Sequence, residues 1–471
     1  MTEPHIVIIG GGFSGAALAI HLARHADFAL RATVVEPRAA LGQGVAYSTP
    51  EPSHRINVPA ARMYLCEAER GDFDRWYRRQ PEFAQDPDAR WHDDSVYPQR
   101  SAFGRYVAEK FAAAARRGPA RLRHLRDRAL RLEEGLVITE RGATLAADAV
   151  VLAVSHPPPA LPAPLRPLAG HPALIADPWR ETALDAVAAD DRVAIVGTGL
   201  TMADVSAALH RRGHRGPLLA FSRHGLLSRP NFSGETPPWP LAIEAFGARG
   251  VLAQIRAEVR RAAAEGVPWQ AVLDEARAGG QRLWQQWPPA EQRRFLRHLR
   301  SWWDAHRYRI APQAAQVIDE RRAHGGFRAL AARLQTAAAA DGALILQLRR
   351  RYGGEETVTA DRLIVTTGPA HADLTDSQPL LRDLTLRGLI RPDALGLGLL
   401  VNADSQAVGR DGIAATFGDN RRLWVAGPAA RGRFGELMGL PQVAEHAEAV
   451  ARQLLTALRA ARRPARCPVS F

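Results

Sequence analysis

Two short glycine runs carry the chemistry most open to reading in this chain of 471 residues. The first, Gly10-Gly11-Gly12-Phe13-Ser14-Gly15, follows the apolar run His5–Ile9 and precedes an alanine- and leucine-rich stretch, Ala16–Arg24. A GxGxxG between strand and helix holds a dinucleotide pyrophosphate. Gly10 permits the tight turn, Gly12 lets the backbone approach the phosphates, and Gly15 lets the helix pack closely on the strand. The helix start adds unpaired N–H groups and a partial positive charge. Phe13 and Ser14 sit inside this candidate site. The next apolar run, Ala32–Glu36, ends in an acid 21 residues after Gly15, suited to accepting a hydrogen bond from a ribose hydroxyl. Arg38 and Gly44 join the same expected cofactor set.

The second run, Gly197-Thr198-Gly199-Leu200, follows Arg192–Val196 and opens a helix over Leu200–Arg211. Its third small residue, Ala203, comes one position late, which implies slightly looser helix packing. The next strand, Pro217–Phe221, runs into Ser222-Arg223-His224 and carries no acid. Removing the carboxylate removes repulsion, and Arg223 supplies a guanidinium, as a 2′-phosphate requires. Arg229 is near enough in sequence to assist. The reading is FAD at the first opening and NADPH at the second.

These runs need sheets to carry them. Two mononucleotide-binding openings about 190 residues apart predict an α/β protein with two Rossmann-like domains, a glutathione-reductase-like FAD domain and an NADPH domain. The proline-rich Ser155–Pro167 reads as an extended linker. Residues from about Pro237 to Ile318 read as a helical insert holding six of the ten tryptophans, with Phe295, Leu299, Trp302 and Trp303 on one apolar face. Leu344–Leu348, Arg362–Thr366 and Leu423–Ala426 read as strands, and Gln442–Leu458 as a helix. The expected FAD domain is discontinuous, residues 1–165 and 365–471. The NADPH domain covers 166–364, with the insert at about 237–320.

Composition excludes several classes. Two cysteines, Cys66 and Cys467, exclude a disulfide scaffold, a CxxC pair and a cysteine-rich metal site. The histidines look scattered, with no HxxxH joined to an acid, so no metal is expected. A net charge of +13 is almost wholly arginine, spread through helices, and no nucleic-acid-binding signature accompanies it. No apolar stretch nears the ~18 residues of a membrane span, and no cleavable leader is evident. The expected protein is cytoplasmic and binds neither nucleic acid nor membrane.

Further stretches sharpen this. Gly42–Thr49, His54–Ala60, Tyr97-Pro98 through Phe103-Gly104 and Tyr106, Ser222–Leu227, Trp303–Arg309 and Gly427-Pro428 together resemble a bacterial family of FAD/NAD(P)-binding proteins. That family is related to the single-chain (class B) flavin-dependent monooxygenases. The resemblance implies that Gly42–Ala60 passes beside the isoalloxazine, with Asn57 the polar group near the ring and the candidate catalytic residue. It implies that Gly427 and Pro428 lie at the flavin, with Pro441 opening a helix aimed at its pyrimidine ring. The family's Ala-Thr-Gly turn after Ala149–Val154 is replaced by Ala153-Val154-Ser155-His156, whereas Thr366-Thr367-Gly368-Pro369 is intact. Asp304, His306, Arg307 and Arg309 read as an ion-pair network tying the insert to the nucleotide domain.

The implied activity is an FAD-dependent NADPH oxidoreductase. It is foremost a monooxygenase that oxygenates a small molecule with O₂ through a flavin C4a-(hydro)peroxide. A flavin reductase or dehydrogenase passing electrons to an acceptor shares every motif. A nucleotide-binding redox sensor is the non-enzymatic alternative.

Overall fold

The computed structural model describes residues 3–154, 156–234, 236–418 and 421–462. β1 (His5–Ile9) is buried at all five positions, so it needs a paired strand on each side and helices on both faces. β2 (Leu30–Val35) and β3 (Ala120–Leu125) lie parallel on one side, with Ile8 opposite Val34 and Val34 opposite His124. β4 (Ala129–Glu133), β5 (Leu136–Thr139) and β6 (Thr144–Ala146) form an antiparallel meander. β7 (Ala149–Leu152) then returns to the other side of β1.

The second sheet repeats the scheme. β8 (Leu174–Ile175) is an edge strand, and β9 (Val193–Val196) and β10 (Leu218–Ser222) pair in parallel. β11 (Phe327–Ala340) pairs parallel with β10 as far as Ala331. From Ala332 it pairs antiparallel with β12 (Ala343–Arg350), which β13 (Glu355–Ala360) extends. β14 (Arg362–Val365) flanks β9 as β7 flanks β1. The chain then goes back to the first sheet, where β15 (Thr416–Phe417) and β16 (Arg421–Val425) attach through β16 to β7, with Trp424 opposite Val151. One apolar core accordingly joins side chains from residues 6–154 with others from 374–455.

The helix Phe13–His25 packs on the first sheet between Arg100–Ala114 and the C-terminal helix Gln442–Arg462. It begins three residues before the expected Ala16. The Trp-rich region is helical only from Gly247, and Pro312–Ala323 covers the second sheet instead of closing the insert. Ser155, at the head of the expected linker, and Cys467 lie outside the described residues. The linker is not extended throughout: Ala163–Leu168 winds into a 3₁₀ turn that buries Leu165.

Candidate active site

The glycines of the first turn divide into two kinds. A Cβ on Gly10 (φ 100°) would lie 2.3 Å from the Ala153 carbonyl oxygen, and one on Gly15 would lie 1.9 Å from that of Gly10. Both are required by packing. Gly12 faces only Gly44, whose Cα is 3.4 Å from a Cβ built there. Two bare backbones thus border a cradle that side chains would narrow, as a bound pyrophosphate demands. The helix starts at Phe13 with no side-chain cap and no acid in its first turn, leaving its N–H groups for a ligand. Glu36 is buried beside this turn and accepts from the Gly11 N–H (2.9 Å), the Arg38 N–H (3.0 Å) and Arg38 Nη1 (3.2 Å).

The C-terminal segment closes over the same turn. A Cβ on Gly427 (φ 82°) would strike Ser14 Oγ at 2.2 Å, so Gly427 and Pro428 sit against the start of the Phe13–His25 helix. The Gly427 N–H donates to His446 Nδ1 (3.1 Å), which leaves Nε2–H to donate to Ser405 Oγ (3.1 Å). Burial pushes His446 down to about 4, so it stays neutral in this role. Pro441 precedes the C-terminal helix instead of occupying its first turn. Its carbonyl accepts from the Ala444 and Glu445 N–H groups, and the helix runs from Gln442.

Asn57 sits on the seam between the sheets. Its Oδ1 accepts from Arg100 Nη2 (3.3 Å), and its carbonyl accepts from Asn231 Nδ2 (2.7 Å). Arg100, buried, also pairs with Asp204 at 2.9 Å, and Asp204 lies on the Leu200–Arg211 helix of the second opening. Glu51 pairs across the same seam with Arg211 (2.7 Å) and Arg212 (3.4 Å). Sequence reasoning missed Arg100 and Asn231. They stand 43 and 174 residues from Asn57, and no local pattern links them.

The second opening mirrors the first. A Cβ on Gly197 (φ 116°) would meet the Thr366 carbonyl oxygen at 2.6 Å, whereas one on Gly199 would meet nothing within 4 Å. The space before Gly199 and the uncapped start of the helix at Leu200 is open. The Ser222 hydroxyl is engaged inside its own loop. Thr198 Oγ1 donates to the Leu226 carbonyl (2.6 Å), so Ser222 donates to Thr198 (2.8 Å) and accepts the Gly225 N–H (3.0 Å). The outward-facing groups are cationic. Arg223 is exposed, and Arg351 Nη1 lies 2.9 Å from His224 Nδ1. Burial lowers the His224 pKa, and the charges of Arg351, Arg223 and Arg333 lower it further. Arg333 comes from β11 and Arg351 from the turn after β12, beyond the reach of the strand–acid rule. Arg229, expected beside Arg223, instead lines a cavity of about 1100 Å³ in the helical insert.

That cavity collects the apolar face of Phe295, Leu299, Trp302 and Trp303. The ion pairs of the adjoining Asp304–Arg309 stretch tie the insert to segments packed on the first sheet, not to the second: Asp274, the partner of Arg309, also pairs with Arg62 (3.1 Å). Arg307 pairs with Glu436 (2.9 Å) near the C-terminal helix, Arg309 pairs with Asp274 (2.9 Å) inside the insert, and Asp304 accepts from Arg300 (3.3 Å). One histidine reading is corrected. His21 and His25 stand one helical turn apart, and Glu448 of the C-terminal helix joins them, with His25 Nε2 at 2.9 Å from its carboxylate. The acid is remote in sequence, so the local pattern does not show it.

Residues 7–157 match the model of an FAD-NAD(P)-binding family. No curated protein matches the chain. Among solved structures, the reduced ornithine hydroxylase of Pseudomonas aeruginosa is similar at 16% identity and a TM-score of 0.63, over 97% of this chain and 100% of that one. L-lysine 6-monooxygenase from Pseudomonas syringae is similar at 16% identity and a TM-score of 0.60, over 97% and 99%. The ornithine N-hydroxylase of Kutzneria sp. 744, solved with reduced FAD, NADP⁺ and L-ornithine, is similar at 13% identity and a TM-score of 0.61, over 98% and 100%. Matched along nearly its whole length at low identity, the chain has the mixed α/β fold of these hydroxylases and monooxygenases.

Proposed function

We propose that the protein is an FAD-dependent, NADPH-using monooxygenase that acts on a small molecule. The observation that carries this reading is a pair of open glycine turns, at Gly12 facing Gly44 and at Gly199. They sit on two sheets joined by the buried Arg100–Asp204 pair. Two dinucleotides held at these turns share one seam, and the fold is that of flavoproteins whose names describe hydroxylation.

Gly10, Gly12, Phe13, Ser14 and Gly15 would hold the FAD pyrophosphate, and Glu36, oriented by Arg38, would hold the ribose. Gly44, Asn57, Gly427, Pro428 and Pro441 would surround the ring. Gly197, Gly199 and Leu200 would hold the NADPH pyrophosphate. Arg223, with Arg351, would hold the 2′-phosphate on a loop shaped by Ser222. When bound, these cofactors supply hydride transfer and the activation of O₂. The protein orients them and keeps water out. Arg100 fixes the Asn57 side chain, and its pair with Asp204 sets the approach of the second helix to the first site. On this reading residues 1–165 and 365–471 form the FAD unit, and 166–364 form the NADPH unit with its insert.

The test is the flavin spectrum of the purified protein with and without NADPH in air, beside the Gly12→Val variant. The wild type should carry one FAD that NADPH bleaches. The variant should fold and lose most of the flavin. A folded variant with full flavin overturns the site. NADPH oxidation that forms only hydrogen peroxide across a broad substrate panel overturns the monooxygenase reading.

A further inference from the structure

The cavity in the helical insert has walls suited to a long apolar molecule and charge suited to one kind of head group. Its volume, about 1100 Å³, is slightly above the roughly 300–1,000 Å³ of ordinary small-molecule sites. Trp269, Trp284, Trp287, Phe295 and Trp302 line it, with aliphatic side chains of the Gly247–Ala264 helix. Among the described residues its lining contains one carboxylate, Glu436. That group is already engaged: it accepts from Trp303 Nε1 (2.7 Å) and Arg307 Nε (2.9 Å). Burial by itself would raise its pKa, but the Arg307 charge and these hydrogen bonds hold it below its ordinary value. An ammonium group entering here would lose its hydration without gaining a free anion.

The available charge is positive. Arg431 lines the cavity at 6% exposure, donates Nε–H to the Gly435 carbonyl (3.1 Å), and has no carboxylate within ion-pair distance among the described residues. Arg229, Arg256 and Arg260 also line it, are exposed, and likewise lack an acidic partner among the described residues. We infer that this cavity binds an amphipathic carboxylate, an extended apolar body bearing a single anionic head. This deepens the proposed function and rests on it: the acid is the molecule on which the redox site acts. Arg431 holds the head, and the tryptophans clasp the body. The substrate then differs in charge from the amines that the structural neighbours' names indicate.

The experiment is a titration of the full-length protein, as purified, with dodecanoate, dodecylamine and dodecanol, each below its aggregation threshold. Tryptophan emission is the readout. Dodecanoate should saturate with an apparent Kd at least tenfold below that of dodecylamine. Arg431→Gln should weaken dodecanoate at least tenfold while leaving dodecanol within twofold. Should that variant not fold, the exposed pair Arg256→Gln with Arg260→Gln should weaken dodecanoate severalfold and again spare dodecanol. Equal affinity for acid and amine, no saturable binding, or an acid affinity unmoved in the folded variants overturns the inference. Flavin content measured on the same samples separates the two readings. Acid binding by a protein that holds no flavin sinks the flavoprotein assignment and with it the acid's role as substrate, and leaves the cavity's choice of an anionic head standing. Flavin reduced by NADPH without acid binding sinks the cavity assignment alone.

Discussion

Arg223 and Arg351 reach the loop after β10 from opposite directions. One follows the strand in sequence, and the other arrives on the turn after β12, with Nη1 2.9 Å from His224 Nδ1. On the proposed reading these two guanidiniums hold the 2′-phosphate, and they should discriminate NADPH from NADH by charge-assisted hydrogen bonds. Arg223→Ala and Arg351→Ala should each weaken NADPH about tenfold or more, an amount in keeping with a charged hydrogen bond. Neither should change NADH more than about threefold. Flavin-reduction rates against cofactor concentration check this, and equal losses for both cofactors would mark a folding effect. Ser222 is a different case, because its hydroxyl is engaged by Thr198 and Gly225. Ser222→Ala should reduce affinity for both cofactors alike by loosening the loop, a pattern readable in the same assay.

At the scale of elements, the Arg100–Ala114 and Leu200–Arg211 helices meet through one buried ion pair. Arg100 and Asp204 expose 7% and 8% of their side chains, so removing one partner strands the other charge in a site that water cannot serve. Arg100→Ala should lower stability by roughly 3–5 kcal/mol. It should also free Asn57 Oδ1 from its donor. Arg100→Met with Asp204→Leu should recover most of the stability but not the orientation of Asn57. Urea midpoints separate stability from orientation when set beside kcat and KM. Full activity in a stable double variant would show that the pair is structural only. The Glu51–Arg211 bridge is half open, with Arg211 50% exposed over a Glu51 side chain exposed by 9%, so solvent screens it and removing Arg211 should cost less than removing Arg100.

Across the whole molecule, the C-terminal segment is bound into the first sheet by β16 and into the first turn by Gly427, and His446 links the two. This histidine is about 4 in the native state and about 6.5 when unfolded. Above pH 6.5 both states leave it neutral, and stability is complete. As pH falls from 6.5 to about 4 the unfolded chain takes up a proton that the native state refuses, at a cost of roughly 3 kcal/mol. Below that range this residue contributes no further loss. His446→Gln retains an acceptor for the Gly427 N–H and a donor for Ser405, so its urea midpoint should fall less steeply between pH 6.5 and 4. Identical slopes in the two proteins would remove His446 from the acid response.

Much was legible in the sequence because its signals are local. Gly10, Gly15 and Gly197 stand where a Cβ would strike a carbonyl, so steric exclusion writes glycine into the chain at those positions. β9 is apolar throughout, and β1 is apolar after His5, because both of their faces are buried. The Leu200–Arg211 helix coincides with its sequence reading because an apolar periodicity follows a glycine turn. Tertiary structure decided the pairings between residues far apart in the chain. Arg351 beside Arg223, Arg100 between Asn57 and Asp204, and Glu448 beside His25 leave no periodic trace, since each needs only one side chain at the correct point in space. The cavity belongs to the same class. Phe295, Leu299, Trp302 and Trp303 announce an apolar helix face, but periodicity cannot distinguish a face that fills a core from one that lines a void. Only the packing of the insert helices around Glu436 and Arg431 left that volume open and its charge positive.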